Sequence, residues 1–256
     1  MDRFKSFAEH LSFSSIHAQL FDKTEYEENT LIDEAFGLVF AGFETTGSTM
    51  AILLGELARR PQDVALIRAQ IDEVGLPLVS AKQGIPHSPP PHFIQKNNGY
   101  FLASQLTLVN SAFNESLRFW PQVPSNVFTA TRDGIILGTE VRAGQTIDIN
   151  TFLCNRDPTV FKNPDEFDIR RYVVSSDALA ENPDAVTEAP QMGFSYGAHQ
   201  CLGKNLAFLE ARCAIANMLA KFDFSIPSDY LVGYEFDKHM IPHPNGDAPM
   251  IVRRRK

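Results

Sequence analysis

The sequence predicts a mainly α-helical domain that carries small β-sheets. Three observations point there. Apolar residues recur at spacings of three and four in several stretches, around 30–60, 61–74 and 103–119 and again beyond residue 201. Short alternating segments separated by glycine-containing breaks fill residues 127–149. A lone cysteine, Cys201, stands among glycines and aromatics directly ahead of the last helical pattern. Hydrophobic residues make up 44% and charged residues 21%, so a packed core is expected rather than disorder. Residues 1–256 are read as one unit, with neither repeats nor low-complexity blocks.

The chain begins with a short amphipathic stretch and the charged run Asp22-Lys23-Thr24-Glu25-Tyr26-Glu27-Glu28, read as helix followed by loop. From about Thr30 to Arg60 runs the longest helical pattern, with Leu31, Ala35, Leu38, Ile52, Leu53 and Leu57 on its apolar faces and Pro61 as its stop. It is apolar on nearly all sides, which predicts a central, buried helix. Its middle is unusual: Ala41-Gly42-Phe43-Glu44-Thr45-Thr46-Gly47 puts glycines, a carboxylate and hydroxyls where leucines would serve a core. Glycine inside a helix costs about 1 kcal/mol against alanine, and a local penalty of this kind is usually tolerated where function requires it.

A second helix follows over Pro61–Val74, with Val64, Ile67 and Ile71 inward and Gly75 as its cap. Residues 75–100, rich in proline, read as a long surface connection. A helix from Ala103 to Phe119 stops at Trp120-Pro121. Small strands are expected at Val127–Ala130, Ile135–Leu137 and Gln145–Ile149. A polar meander runs from Asn155 to about residue 193. The helix after Cys201 is expected to bury Leu202, Leu206, Leu209, Cys213 and Ala216, and residues 222–252 to end the chain in a hairpin.

Charge and cysteine content narrow the function classes. A net charge of −8 argues against a general nucleic-acid surface. The basic tip Arg253-Arg254-Arg255-Lys256 reads as a solvated end. Three cysteines, Cys154, Cys201 and Cys213, form no Cys-x-x-Cys pair and fit a reducing compartment. No apolar run is expected to reach membrane-spanning length, and the first residues lack a signal-peptide core. An intracellular location is therefore expected, with membrane association left open.

Three constellations carry potential chemistry. Glu44-Thr45, an acid beside a hydroxyl in a helix distorted at Gly42, can hold and pass a proton through water; the bland alternative is that the hydroxyls bond back to the preceding helical turn. Glu115-x-x-Arg118 places an ion pair on one helix face, solvated or buried according to its surroundings. Cys201 at a helix N-terminus is favoured as a thiolate, a soft metal ligand, with His199 two residues before it. The alternative there is an inert core cysteine in a turn.

Taken together and in this order, these features closely resemble the haem-thiolate monooxygenases of the cytochrome P450 family. Ala41-Gly42-Phe43-Glu44-Thr45-Thr46 is similar to the family's oxygen-activation segment. Glu115-Ser116-Leu117-Arg118 resembles its Glu-x-x-Arg helix, and Asn163 to Tyr172 its meander, in which Arg171 would lock onto Glu115 and Arg118. Phe194 to Gly203 fits the Phe-x-x-Gly-x-x-x-Cys-x-Gly haem loop through Phe194, Gly197, Cys201 and Gly203, with His199 where a propionate partner often stands.

The resemblance implies haem b held by Cys201, Ala41 and Gly42 beside the haem, and Glu44 and Thr45 relaying protons to dioxygen. It further implies a small apolar organic substrate that gains one oxygen atom, and a reductase or ferredoxin as electron donor. Two departures stand out. Phe128 occupies the position, five residues before Asp133, at which the family usually carries a propionate-binding arginine. The resemblance also covers only the family's C-terminal half, so the expectation is a partial domain. A truncated, non-catalytic fragment or a partner-binding piece is the competing reading.

Overall fold

The computed structural model describes residues 28–74, 105–173, 192–227, 234–235, 243–244 and 249–255. The expectations for residues 1–27, for the cap at Gly75, for the 75–100 connection and for a helix start at Ala103 lie outside them.

Four helices build the frame: α1 (Glu28–Ala58), α2 (Pro61–Val74), α3 (Thr107–Phe119) and, after the strands and the short α4 (Thr151–Cys154), α5 (Lys204–Lys221). Arg60 ends the first connection by hydrogen bonding back to Leu57, and Pro61 opens α2, where its missing N–H costs nothing. One core joins the helices. Leu53, Leu54 and Leu57 of α1 meet Ile67 and Ile71 of α2, Val109, Ala112, Phe113 and Leu117 of α3, and Ala211, Ile215 and Leu219 of α5. At about 25 cal/mol per Å² of apolar surface removed from water, the leucine, isoleucine, valine and phenylalanine side chains among them each contribute about 1.5–3 kcal/mol to folding.

The long first helix is not buried throughout. Its C-terminal half, from Ile52 to Leu57, is in the core, but Phe36, Leu38, Val39, Phe40 and Phe43 are exposed. A helix apolar on all sides can thus serve two surfaces, one covered here and one open. The helix also runs without a break through Gly42 and Gly47. A Cβ at either glycine would meet nothing within 4 Å, so packing does not demand them. By length and composition Asp33–Ala58 is apolar enough to cross a membrane, which corrects the expectation that no run reaches that length. Its inner half nonetheless packs on three other helices.

A second correction concerns α5. Leu202, Leu206 and Cys213 are exposed and Leu209 is half-buried, whereas Ala207, Ala211, Ile215 and Leu219 form the buried stripe with Ala216. Small side chains at three-, four- and one-residue spacings let α5 lie close against α1 and α3. The large leucines that dominated the periodicity face outward at the helix start.

The strands form nested antiparallel pairs. β1 (Ser125–Thr129) pairs with β4 (Thr146–Asn150), and between them β2 (Gly134–Ile136) pairs with β3 (Thr139–Val141), a strand missing from the sequence reading. The β2–β3 turn has Leu137 at φ 48° and Gly138 at φ 81°, the doubly positive pattern of a type I′ turn, whose twist suits a tight hairpin. The expected terminal hairpin is also nested. β5 (Phe222–Ser225) pairs with β8 (Ile251–Arg254), and β6 (Tyr234–Glu235) with β7 (His243–Pro244). Arg68 of α2 fastens β5, donating to the carbonyls of Leu219 and Phe222 and to Asp223.

Candidate functional site

A dense hydrogen-bond cluster among the described residues centres on Glu115, on the buried face of α3. Its Oε2 accepts from Arg118 Nε at 2.7 Å and Arg171 Nε at 3.0 Å; its Oε1 accepts from Arg118 Nη2 at 2.8 Å and the Asp168 N–H at 3.0 Å. Four donors saturate a carboxylate. Arg118 is fully buried and spends its remaining N–H groups on the carbonyls of Asn155, Pro164 and Glu166. Arg171 reaches the carbonyls of Lys162, Asn163 and Glu166. The spacing Glu115-x-x-Arg118 puts both groups on one face of α3. Arg171 comes from the meander, whose irregular backbone is held in place because its carbonyls have no ladder and take these guanidinium donors instead.

The cysteine loop sits next to this brace. Met192–Phe194 and Gly197–His199 are single 3₁₀ turns. Ser195 at φ 56° and Gly197 at φ 73° reverse the chain between them. The Cys201 N–H then donates to the Phe194 carbonyl at 2.8 Å, closing the loop on itself. Phe194 anchors the loop by packing its ring on Phe208, which stands edge-on to Phe113 of α3. Cys201 is exposed, and α5 starts three residues later at Lys204, so the thiol lies just ahead of the first helical turn. A Cβ on Gly197 would meet nothing within 4 Å, and one on Gly203 would meet only Cys201 Sγ, at 3.9 Å. The loop is thus open at Gly197 and Gly203, and Leu202 and Leu206, close to Cys201 in sequence, are exposed. His199 closes the second 3₁₀ turn, exposed, with its ring 6.2 Å from that of Phe128.

The other predicted residues lie on α1. Ala41 and Gly42 are exposed, Glu44 and Thr45 half-buried. Thr45 Oγ1 donates to the Ala41 carbonyl at 2.7 Å, and Thr49 repeats the pattern on Thr45. That is the back-bonded arrangement, and it leaves the Thr45 oxygen as an acceptor. Glu115, Arg118 and Arg171 are therefore brought into one cluster and Phe194, Gly197, His199, Cys201 and Gly203 into one loop. Ala41, Gly42, Glu44 and Thr45 occupy a separate element.

The matching family model is that of cytochrome P450, over residues 5–246. The chain belongs to the cytochrome P450 family. Among curated P450s it is 24% identical to cytochrome P450 3A27 of Oncorhynchus mykiss over 90% of this chain and 40% of that protein. It is 29% identical to cytochrome P450 6B1 of Papilio polyxenes over 77% and 36%, and 28% identical to the P450 monooxygenase nodW of Hypoxylon pulicicidum over 82% and 36%. The chain thus spans roughly two fifths of the length of these relatives. Among solved structures, the cytochrome P450DA heme domain superposes with a TM-score of 0.67 at 30% identity, covering 86% of this chain and 43% of that one. CYP102L1 gives a TM-score of 0.70 at 21% identity over 90% and 46%, which speaks for the P450 fold alone.

Several residues that shape this P450 site escaped the sequence reading. Asn155, fully buried, bonds both α3 and the cysteine loop. Glu56 of α1 accepts from the Trp120 indole N–H at 3.0 Å and pairs with Arg60, tying α1 to the end of α3. Arg156 stacks 3.8 Å above the Phe152 ring and 4.7 Å from that of Phe119 and donates to the Phe119 carbonyl. Burial, helped by the nearby Arg118 charge, lowers its pKa to about 10. The sequence offered one signal, the polar run Asn155-Arg156-Asp157 after an apolar helix, but not the partners.

Proposed function

We propose that this chain forms the cysteine-ligand side of a haem-dependent monooxygenase, with the Cys201 thiolate as the iron ligand. The observation that carries the reading is the presentation of Cys201: an exposed thiol in a loop closed by a backbone hydrogen bond to Phe194, with open space at Gly197 and Gly203 and exposed leucines at 202 and 206. That donor and that shape suit a flat, apolar, iron-bearing macrocycle, because thiolate is a soft ligand for iron. Bound haem would supply the redox-active iron at which dioxygen is activated. Cys201 holds it. His199, two residues before Cys201, is a donor for a carboxylate substituent. Glu44 and Thr45 hold and move protons on α1, with Thr45 accepting through Oγ1 while its own hydrogen lies on Ala41. Exposed Phe36, Phe40 and Phe43 favour an apolar organic substrate. Electrons would come from a separate reductase or ferredoxin.

The same exposed face of α1 also favours a second reading, a non-catalytic domain that binds a partner through it. A haem titration separates the two. The first reading expects one haem per purified chain. A cooperatively folded chain that takes up none supports the second.

A further inference from the structure

We infer that Asn155 is a positioning residue, the link that sets the cysteine loop against the buried ion-pair brace. It rests on the reading of Cys201 as an iron ligand, but the link itself is a matter of hydrogen bonds. Asn155 is fully buried. Its Oδ1 accepts from the Met192 N–H at 2.8 Å, where the cysteine loop begins. Its Nδ2 donates to the Leu117 carbonyl in α3 at 3.4 Å, and its own carbonyl accepts from Arg118 Nη1 at 2.9 Å. One side chain thus faces two ways, 38 residues from Leu117 and 37 from Met192 in sequence.

From Met192 the connection continues inside the loop. The Met192 carbonyl accepts from the Ser195 N–H at 3.0 Å, and the Phe194 carbonyl from the Cys201 N–H at 2.8 Å. The Cys201 backbone is therefore connected to Asn155 through two hydrogen-bonded closures, Ser195 to Met192 and Cys201 to Phe194, and Asn155 is one bond from Arg118. Glu115, Arg118 and Arg171 are buried and saturated, so they form a fixed reference. Asn155 transfers that reference to the loop. A buried amide suits the task because it offers an acceptor to one element and a donor to the other at once.

The test is amide hydrogen exchange on the full 256-residue chain. Asn155→Leu removes both side-chain bonds at similar volume. Exchange across residues 192–201 should rise about tenfold, the effect of one lost buried hydrogen bond, while residues 109–117 and 211–219 keep their protection. Asn155→Asp retains the acceptor for Met192 but loses the donor to Leu117, so exchange over 192–201 should fall between the parent and the leucine variant. Met192→Pro removes the donor from the other side and should reproduce the leucine variant even if that variant does not fold. In haem-loaded, reduced protein under carbon monoxide, the thiolate-type band should weaken in Asn155→Leu and persist in Asn155→Asp. Unchanged exchange at 192–201 in both Asn155→Leu and Met192→Pro would overturn the proposal. So would loosening of the core helices to the same degree, or an aspartate variant as loose as the leucine one. Failure of Cys201 to ligate haem would leave the exchange pattern intact, so the two claims fail separately.

Discussion

Arg171 Nε lies 3.0 Å from Glu115 Oε2, joining the meander to α3 across 56 residues of sequence, and neither side chain is exposed. Two arginines share this one carboxylate. Two buried cations and one anion leave an excess positive charge, which the carbonyls of Lys162, Asn163, Glu166, Asn155 and Pro164 offset.

Removing the shared anion therefore exposes two buried guanidinium groups to each other. Glu115→Ala should cost about 3–5 kcal/mol, the range for an uncompensated buried charge, read by denaturant unfolding. Arg171→Lys keeps the charge but loses the forked donors to three carbonyls, and should cost about 1–3 kcal/mol. A loss under 1 kcal/mol for Glu115→Ala would show that the cluster is not a stabilising brace.

Burial divides α1 into halves with different sensitivities. Leu53→Ala, at a fully buried position, should cost about 2–5 kcal/mol. Phe43→Ala, at an exposed position, should change stability by less than about 0.5 kcal/mol. Thermal unfolding of both variants checks the contrast. An equal loss at Phe43 would mean that the exposed face is covered in solution.

Trp120→Phe removes the indole donor from the buried Glu56 carboxylate and should lower stability by about 1–3 kcal/mol. Adding Glu56→Gln should recover part of that loss, because a neutral amide tolerates the missing donor better than a carboxylate does. Absence of any recovery in the double variant would place the cost in packing instead.

Cys213 titrates differently from an ordinary thiol. Although Cys213 keeps an exposed surface, partial burial of its thiol raises its pKa, with the adjacent Arg212 charge opposing. Its thiolate fraction near neutral pH is correspondingly small, so its alkylation should be slow there and accelerate only above the usual thiol range. Mass-spectrometric mapping of alkylation against pH reads this directly. A profile centred at or below the usual thiol range would contradict it.

Much of this architecture was legible in the sequence for local reasons. Pro61 and Val74 bound α2 as expected because a proline start and an apolar stripe are local signals. The Cys201 loop stood out because glycine and aromatic spacing around a lone cysteine is unusual. What was not legible depended on partners. The periodicity of α5 followed the large leucines at 202 and 206 and missed Ala207, Ala211 and Ile215, which α1 and α3 cover. α1 reads as apolar all round, and periodicity does not say which half is covered. β3 is three residues long with a polar pattern, too short to signal itself without β2 beside it. Asn155 looked like any residue of a polar loop, because its meaning lies in Leu117 and Met192.

The central claim is that the Cys201 thiolate holds haem iron, and the carbon monoxide spectrum of the reduced, haem-loaded chain tests it most directly. The account predicts a thiolate-type Soret band in the parent that is abolished in Cys201→Ser and retained in Cys154→Ser and Cys213→Ser. The same thiolate-type band in Cys201→Ser as in the parent would contradict it.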